Sequence, residues 1–365
     1  MPHVETVEEL KHYLYLAMQL EHATIPPYLL ALYSIHPGSN PEAAEVVRTV
    51  VVEEMLHLTL AANILNAVGG EPDLTRNGFV PLYPAQLPDG ETDFYVDLQP
   101  FSTAAINTFL KIERPKGLPQ KGLEGLSEDG RTIARPRNAQ SALIYNPKGD
   151  ENISYWSIGE FYRAISEGLD ELHRQHGDAL FCGPPERQVG PENFYSGGGE
   201  CLTITDLSSA QAAIELIIEQ GEGYDYGPFG KGDQGELAHE YRFDQLQRGR
   251  KYVRGNKYFR SDRADHPTGA ELKVDWSAVY PFKVNARLAD YEDSPELHKA
   301  AVDFNNFYKE FLAFVTRAFN GEPHLLLVEG QAKMMEIRNK IVEIIRNPIW
   351  GTEGVNATPT FELYE

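Results

Sequence analysis

The stretch NPEAAEVVRTVVVEEMLHLTLAANILNAVGG, residues 40–70, decides the fold. Asn40 suits the N-cap of a helix, and Pro41 suits its first position, because a backbone N–H there would have no partner within the helix. Gly69 and Gly70 provide the stop that commonly follows a helix. The stretch therefore predicts one long helix, with a broad apolar face at helical spacing made by Val47, Val50, Val51, Leu58, Ala61, Ile64, Leu65 and Val68.

Glu54 and His57 lie three residues apart on this apolar face. A carboxylate and an imidazole among valines and leucines are costly unless something pairs with them, and a divalent metal ion would do so. Glu-x-x-His on an inward helix face is how carboxylate-bridged dimetal bundles present their ligands. Glu53 is four residues from His57 and could share its face, so the spacing leaves Glu53 or Glu54 open. An ordinary, partly exposed Glu–His pair has the same spacing, so the metal-site interpretation requires a second Glu-x-x-His element.

A second Glu-x-x-His element occurs at Glu236 and His239, in a segment with a helical pattern. Glu21 lies on the apolar face of a first predicted helix, which runs from Thr6 to Tyr33. Two such elements, each preceded by a helix with a glutamate on its apolar face, are what a four-helix dimetal site requires. Four carboxylates and two imidazoles suit two iron ions, or manganese, because hard oxygen donors tolerate a change of oxidation state.

Pro26 and Pro27 fall inside the otherwise helical pattern of the first helix. Each proline removes a backbone donor, so the carbonyls of His22 and Ala23 lose their helical partners and the helix kinks. One interpretation is that the kink shapes a pocket beside Glu21. The alternative is a helix that ends just before the prolines and restarts at them.

The composition is that of an ordinary globular protein, with 42% apolar and 24% charged residues in a chain of 365. A formal net charge of −21 argues against nucleic acid and anionic membranes as partners. The first residues lack the basic and apolar parts of a signal peptide, and no apolar run is long enough to span a membrane. Cys182 and Cys201 are therefore expected to stay reduced in a cytoplasmic protein.

The rest of the chain alternates helices with two long irregular insertions. Helices are predicted at 157–176 and 206–221, followed by a helical hairpin near the end that serves either internal packing or a dimer surface. The insertions fall at about 71–155 and 177–205. The first contains a predicted short strand at 94–98, and its polar part, 114–150, is expected to cover a substrate or to bind a partner.

Several stretches resemble a known family: TIPPYLLALY (24–33), EEMLHL (53–58), ANILNAVGG (62–70), IGEFY (158–162), EQGEG (219–223) and ELAH (236–239). They resemble a ferritin-like family that includes the iminophenyl-pyruvate dimer synthase domain of the violacein and rebeccamycin pathway enzymes. The resemblance covers roughly residues 8–248. It implies a mainly α fold, a ferritin-like four-helix bundle with long insertions and short β elements in residues 1–250. Residues 251–365 are expected to form a C-terminal extension whose helical hairpin packs on the bundle.

The resemblance also implies metal ligands, and in the first half these are Glu21, Glu54 and His57. In the second half two schemes stay open.

If the helix that carries Glu219 is the third of the bundle, Glu236 and His239 complete the ligand set. If the helix that carries Glu160 is the third, Glu160 enters and Glu219 joins His239. Glu222 is the spare carboxylate in both schemes.

The function implied by the resemblance is oxidative chemistry in specialised metabolism. The pathway enzymes join two imines derived from an indole amino acid, but they are much longer chains, and a shared fold does not carry the reaction with it. The leading hypothesis is a di-iron oxidoreductase acting on an aromatic or amino-acid-derived imine or amine. The competing hypotheses are a metal-storage or stress protein and a non-catalytic partner subunit, and a homo-oligomer is compatible with each.

Overall fold

Two long helices at the start of the chain form the centre of the fold. A computed structural model describes residues 4–88, 94–113, 157–194, 197–222, 228–230, 236–253 and 267–363. In it, α1 spans Val7–Ser34, α2 spans Pro41–Ala67, and the two helices pack along each other. The predicted substrate-covering or partner-binding segment 114–150 lies outside the described residues.

Six further helices surround this pair: α3 (Thr103–Ile112), α4 (Ile158–His176), α5 (Leu207–Glu222), α6 (His239–Arg248), α7 (Pro295–Phe319) and α8 (Val328–Ile345). Helix α4 packs on α1, α5 packs on α2, and α4 and α5 pack on each other. These four helices form the bundle, so the predicted mainly helical architecture with a four-helix bundle is confirmed. The short helices α3 and α6 pair with each other and close one side of it.

The predicted strand at 94–98 is wrong in extent. Within the described ranges, β structure consists of isolated bridges, and Val96 pairs only with Ala85. Phe94, Val96 and Leu98 are nevertheless buried, which accounts for the alternating pattern that suggested a strand.

The ends of α1 and α2 follow local sequence signals, with one exception. Thr6 accepts from the backbone of Glu9 in a capping box, as expected for an N-cap. Gly69 and Gly70 donate to the carbonyls of residues 66 and 65 and close α2. Asn40 instead has a positive φ of 46° and no side-chain cap bond. Its amide exchanges two hydrogen bonds of 2.8 Å with the backbone of Asp275, so Asn40 joins distant parts of the chain.

Helix α1 continues without a break through Pro26 and Pro27, so the alternative of a helix that ends and restarts is wrong. The carbonyl of Ala23, which Pro27 deprives of its helical partner, accepts a hydrogen bond of 2.8 Å from the hydroxyl of Tyr83. Tyr83 is buried. A side chain from the first insertion thus replaces the missing backbone donor, and the helix persists.

The chain ends as a helical hairpin on the bundle. Helices α7 and α8 pack on each other, α7 also contacts α2, and α8 contacts α1. In the segment after α8, residues 357–361 are buried, and the Tyr291 hydroxyl donates to the carbonyl of Thr358 and accepts from its N–H. The side-chain amide of Asn305 in α7 donates to the hydroxyl of Thr360.

The apolar character of α2 reflects its central position. By length and composition α2 could cross a membrane, but 89% of its most apolar window is buried within the fold, as in the core helix of many proteins. Cys182 and Cys201 are both free thiols.

The Tyr83 hydroxyl is predicted to substitute for the donor that Pro27 removes. Tyr83→Phe leaves the buried Ala23 carbonyl unpaired and should lower the free energy of unfolding by about 1–3 kcal/mol. In a Pro27→Ala background the alanine N–H can reach that carbonyl, so the same change should cost much less. Urea unfolding of the four proteins in this double-mutant cycle measures the coupling.

Tyr15→Phe is the matched control, because the Tyr15 hydroxyl donates to the carbonyl of Asp73, away from the prolines. If Tyr83→Phe lowers the free energy of unfolding equally with and without Pro27, the Tyr83 hydroxyl does not substitute for the donor that Pro27 removes.

Candidate metal centre

Two groups of potential metal ligands lie side by side inside the fold. Glu21, Glu54 and His57 form one group, and Glu54, Glu113 and His239 form the other. Within each group the ligand atoms lie within 4.8 Å of one another, and all five residues are buried. Glu54 belongs to both groups, so its carboxylate can bridge two adjacent ions.

Four helices supply these five side chains. Glu21 comes from α1, Glu54 and His57 come from α2, Glu113 is the C-cap of α3, and His239 is the first residue of α6. The centre therefore lies between the α1–α2 pair and the short α3–α6 pair. The bundle helices α4 and α5 contribute contacts to it rather than carboxylates of the two groups.

Each histidine presents Nδ1 to the carboxylates and uses Nε2 for an outer hydrogen bond. His57 Nδ1 lies 3.4 Å from Glu21, and its Nε2 lies 2.9 Å from Oε1 of Gln220. Because the Gln220 amide nitrogen donates to the carbonyl of Gly198, its oxygen faces His57 and accepts from Nε2–H. The Nδ1 lone pair is thereby directed at the centre.

His239 repeats this arrangement with a carboxylate as its outer partner. Its Nε2 donates to Glu53 at 2.6 Å, and its Nδ1 lies 3.1 Å from Glu54 and 3.4 Å from Glu113. Arg242 also donates to Glu53, at 2.8 Å. Although burial alone raises the pKa of Glu53, the bond from His239 and the charge of Arg242 hold that pKa at about 2. Glu53 is therefore a fixed anion behind the imidazole.

Three hydroxyl groups hold the inner carboxylates in place. Tyr162 of α4 donates to Glu21 at 2.5 Å, and Tyr28 of α1 donates to Glu113 at 2.6 Å. Thr24 donates to Glu54 at 3.0 Å. Burial and the neighbouring carboxylates raise the pKa of both tyrosines well above the ordinary value, so they stay protonated donors.

The charges at the centre are poorly balanced without a cation. Burial, reinforced by the charge of Glu113, raises the pKa of Glu54 to about 8. Burial lowers the pKa of His57 and His239, but the surrounding glutamates outweigh it and raise both. Protons are retained here because like charges are crowded in a medium that solvates them poorly.

The donor set fits a pair of metal ions. His239 Nδ1 is buried and has no hydrogen-bond partner within the described part of the chain, although two carboxylates face it. An unpaired buried nitrogen that faces carboxylate oxygens is the arrangement expected of a set of metal ligands. Three carboxylates and two imidazoles suit iron or manganese.

The structure brings together four of the residues proposed from sequence: Glu21, Glu54, His57 and His239. It also separates the two candidates on α2. Glu54 faces the inner groups, whereas Glu53 lies behind His239 as its hydrogen-bond acceptor. Whether the four bind metal stays a prediction.

Glu236 does not join either group. Backbone hydrogen bonds pair residues 236–238 with 228–230, so α6 begins only at His239 and the two residues do not share a helix face. The Glu236 side chain is 59% exposed and accepts from Arg242 at 3.1 Å. Residues 236–238 are thus extended, although the sequence pattern around them is helical.

Glu160 and Glu219 are also absent from the two groups, within the residues the structure describes. Glu160 lies in the first turn of α4, and Tyr162 is the residue of that helix that contacts Glu21. On α5, Gln220 faces His57, one position beyond Glu219. The side chain of Glu222, the spare carboxylate, lies outside the described residues.

Glu113 is the residue that the sequence did not reveal. It follows α3 directly, is 3% exposed, and has no metal-ligand partner at helical spacing. The available signal was weak: α3 is a short amphipathic helix in an insertion, and it ends in a carboxylate. Gly221 of α5 lies opposite, where an added Cβ would be 3.5 Å from the Glu113 carboxylate, so α5 leaves space there.

Comparisons with known proteins identify the family and the fold of the chain. A model of the Ferritin-like family matches residues 14–248. Dichlorochromopyrrolate synthase of Lentzea aerocolonigenes is 28% identical over 346 residues, in an alignment that covers 87% of this chain and 29% of that enzyme. The chain thus spans less than a third of the length of this relative.

A solved structure shows the same fold. A ferritin-like protein from Caulobacter vibrioides superposes with a TM-score of 0.60, covering 94% of this chain and 97% of that one. The two sequences are 20% identical, so the likeness concerns the fold alone.

Glu113 and Glu236 provide a matched test of the ligand set. Glu113→Gln removes an inner carboxylate and should lower the iron bound after anaerobic reconstitution by about half, because one of the two groups loses one of its two carboxylates. Glu236→Gln removes only a half-exposed partner of Arg242 and should leave the iron content unchanged. Elemental analysis of both variants, with circular dichroism to verify folding, makes the comparison. A larger loss of iron in Glu236→Gln than in Glu113→Gln would contradict this ligand set.

Proposed function

This chain belongs to the ferritin-like family, and we propose that it is a di-iron oxidoreductase of specialised metabolism. Its proposed substrate is an imine or amine derived from an aromatic amino acid. The observation that carries the proposal is the convergence of three buried carboxylates and two imidazoles from four helices, with Glu54 common to both groups. Its similarity to a synthase supports an enzyme rather than a storage protein.

Two iron ions bound at this centre would supply one-electron redox chemistry next to the substrate. Glu54 would bridge the two positions, Glu21 and His57 would complete one, and Glu113 and His239 would complete the other. The outer partners Gln220 and Glu53 would fix the tautomer of each imidazole, which metal sites commonly require.

The protein's own side chains also control protons and water at the centre. The hydroxyls of Tyr28 and Tyr162 are held as donors to Glu113 and Glu21, so neither carboxylate is free to rotate. Phe109 and Phe243 pack on the Tyr28 ring and exclude water from that side. A dry and fixed donor set is suited to oxidation of an organic substrate, because water competes less for the reactive positions.

The reaction of the relative is not assigned to this chain. The alignment covers 29% of dichlorochromopyrrolate synthase, so most of that enzyme has no counterpart in the aligned region. The proposal is therefore restricted to the substrate class, an amino-acid-derived imine or amine, and to oxidation as the reaction type.

The proposal is tested with iron-reconstituted protein containing about two iron equivalents per chain. Aromatic 2-oxo acids mixed with ammonia provide imines, and the parent amino acids and amines complete the panel. We expect dioxygen uptake, measured with an oxygen electrode, together with loss of one substrate, measured by mass spectrometry. His57→Ala should bind less iron and lose this activity, because its carboxylate neighbours are left less compensated.

Tyr95→Phe is a control, since this side chain is 47% exposed and takes no part in the centre. Full iron occupancy without consumption of any imine or amine in the panel would contradict the proposed substrate class. Iron values near zero would remove the two-metal centre itself.

Metal binding is predicted to depend on pH. With no cation, the pKa of Glu54 near 8 means that its carboxyl holds a proton at neutral pH, and this proton must leave when a metal binds. The apparent affinity for Fe²⁺ should therefore rise between pH 6 and 8, by up to about tenfold per pH unit for each proton released. Anaerobic calorimetry in buffers of different ionisation enthalpy counts those protons. Binding without proton release at pH 7 would contradict the prediction.

A further inference from the structure

Three consecutive glycines, residues 197–199, precede α5 in the second insertion. Gly198 and Gly199 have positive φ angles of 76° and 128°, a backbone conformation that residues with a Cβ rarely adopt. We call these two residues the glycine bend. The glycine bend contacts α2 and α5 at the outer partners of the two histidines of the metal centre.

On α2, Gly198 packs directly against Glu53. A Cβ at position 198 would lie 2.8 Å from Cγ of Glu53 and 3.1 Å from its Cα, which is too close for an ordinary contact. Glu53 cannot retreat, because His239 at 2.6 Å and Arg242 at 2.8 Å hold its carboxylate and its Cα lies within the continuous helix α2. This contact therefore requires a residue without a side chain at position 198.

On α5, the same bend fixes the orientation of Gln220. The carbonyl of Gly198 accepts from the Gln220 amide nitrogen at 2.6 Å, so the amide oxygen faces Nε2 of His57, 2.9 Å away. A Cβ at Gly199 would lie 3.1 Å from that amide nitrogen. The glycine bend thus contacts the outer partners of both histidines.

We propose that the glycine bend positions both histidines of the centre at once, with Gly198 as the positioning residue. Its carbonyl holds Gln220 behind His57, and its Cα packs on Glu53 behind His239. The proposal rests on the metal centre of the proposed function, since such positioning matters for binding only if the two histidines are metal ligands.

An outer partner orients an imidazole only while it is itself held in place. If the Gln220 amide rotated, its nitrogen would face His57, and an amide nitrogen cannot accept from Nε2–H. The Gly198 carbonyl opposes this rotation, because it would then face the amide oxygen. Gly198 also contributes to the complete burial of Glu53, so the bond from His239 to Glu53 does not compete with water.

Gln220→Met tests the connection between the two histidines. It removes the hydrogen bond to Gly198, and His239 is not among the described partners of Gln220. The measurement is proton NMR of the Nε2–H groups of His57 and His239 in the metal-free, full-length chain, where a held outer bond slows their exchange with water. We expect faster exchange at both histidines, because the released glycine bend no longer packs firmly on Glu53.

Gln211→Met is the matched control, because it makes the same substitution on α5 at a residue that donates to Asp170 of α4 instead. It should leave both signals unchanged. Spectra of His57→Gln and His239→Gln assign the two signals.

Gly198→Ala tests the contact with α2. The added Cβ forces the glycine bend away from the helix, so exchange should again be faster at both histidines. The affinity for Co²⁺ should fall about 10–100-fold, as expected when outer partners are lost. Gly38→Ala is its control, because Gly38 has a similar φ of 82° and no described atom lies within 4 Å of its added Cβ.

Faster exchange at His57 alone in Gln220→Met, or unchanged exchange at both histidines in Gly198→Ala, would overturn the proposal. Because the spectra are recorded without metal, they decide it even if the wild-type chain binds no iron, a result that would instead contradict the proposed function. If Gly198→Ala does not fold, Gln220→Met still decides the question.

Discussion

The structure depends on the crowding of buried carboxylates around Glu54. Glu54 shares one buried group with Glu21 and His57 and a second with Glu113 and His239. Such an arrangement cannot be stable as a set of free anions, and it requires protons, hydroxyl donors or cations. Tyr28, Tyr162 and Thr24 supply the hydroxyl donors. Their positions on α1 and α4 explain why these helices must pack in one fixed register.

Much of the fold could be predicted from the sequence because its signals are local. The cap at Thr6, the stop at Gly69 and Gly70 and the apolar periodicity of α2 each involve residues within a few turns of one another. Glu21 and His57 could be predicted for the same reason, since a polar side chain on an apolar helix face is visible in the spacing. The spacing left Glu53 and Glu54 open, and only the family resemblance favoured Glu54.

Of the second half of the centre, only His239 could be predicted. Glu236 and His239 have helical spacing, but backbone pairing of 236–238 with 228–230 delays the start of α6 to His239. Glu113 lies in an insertion and gains its role only when α3 packs against α6. Asn40 is likewise a residue type that favours the N-cap, but its side chain forms a hydrogen bond with the backbone of Asp275, far away in the sequence. In each case tertiary contacts override a correct local rule.

The unequal outer partners of the two histidines have a consequence for any pair of ions held here. Gln220 gives His57 a neutral amide, whereas Glu53 gives His239 a full negative charge. A carboxylate behind an imidazole makes it a stronger electron donor to its metal. His239 would therefore offer a metal ion a more electron-rich nitrogen than His57, and an ion held there would be the more easily oxidised of the two. Two chemically identical ions would thus differ in electronic character because the outer partners of their histidines, Gln220 and Glu53, differ in charge.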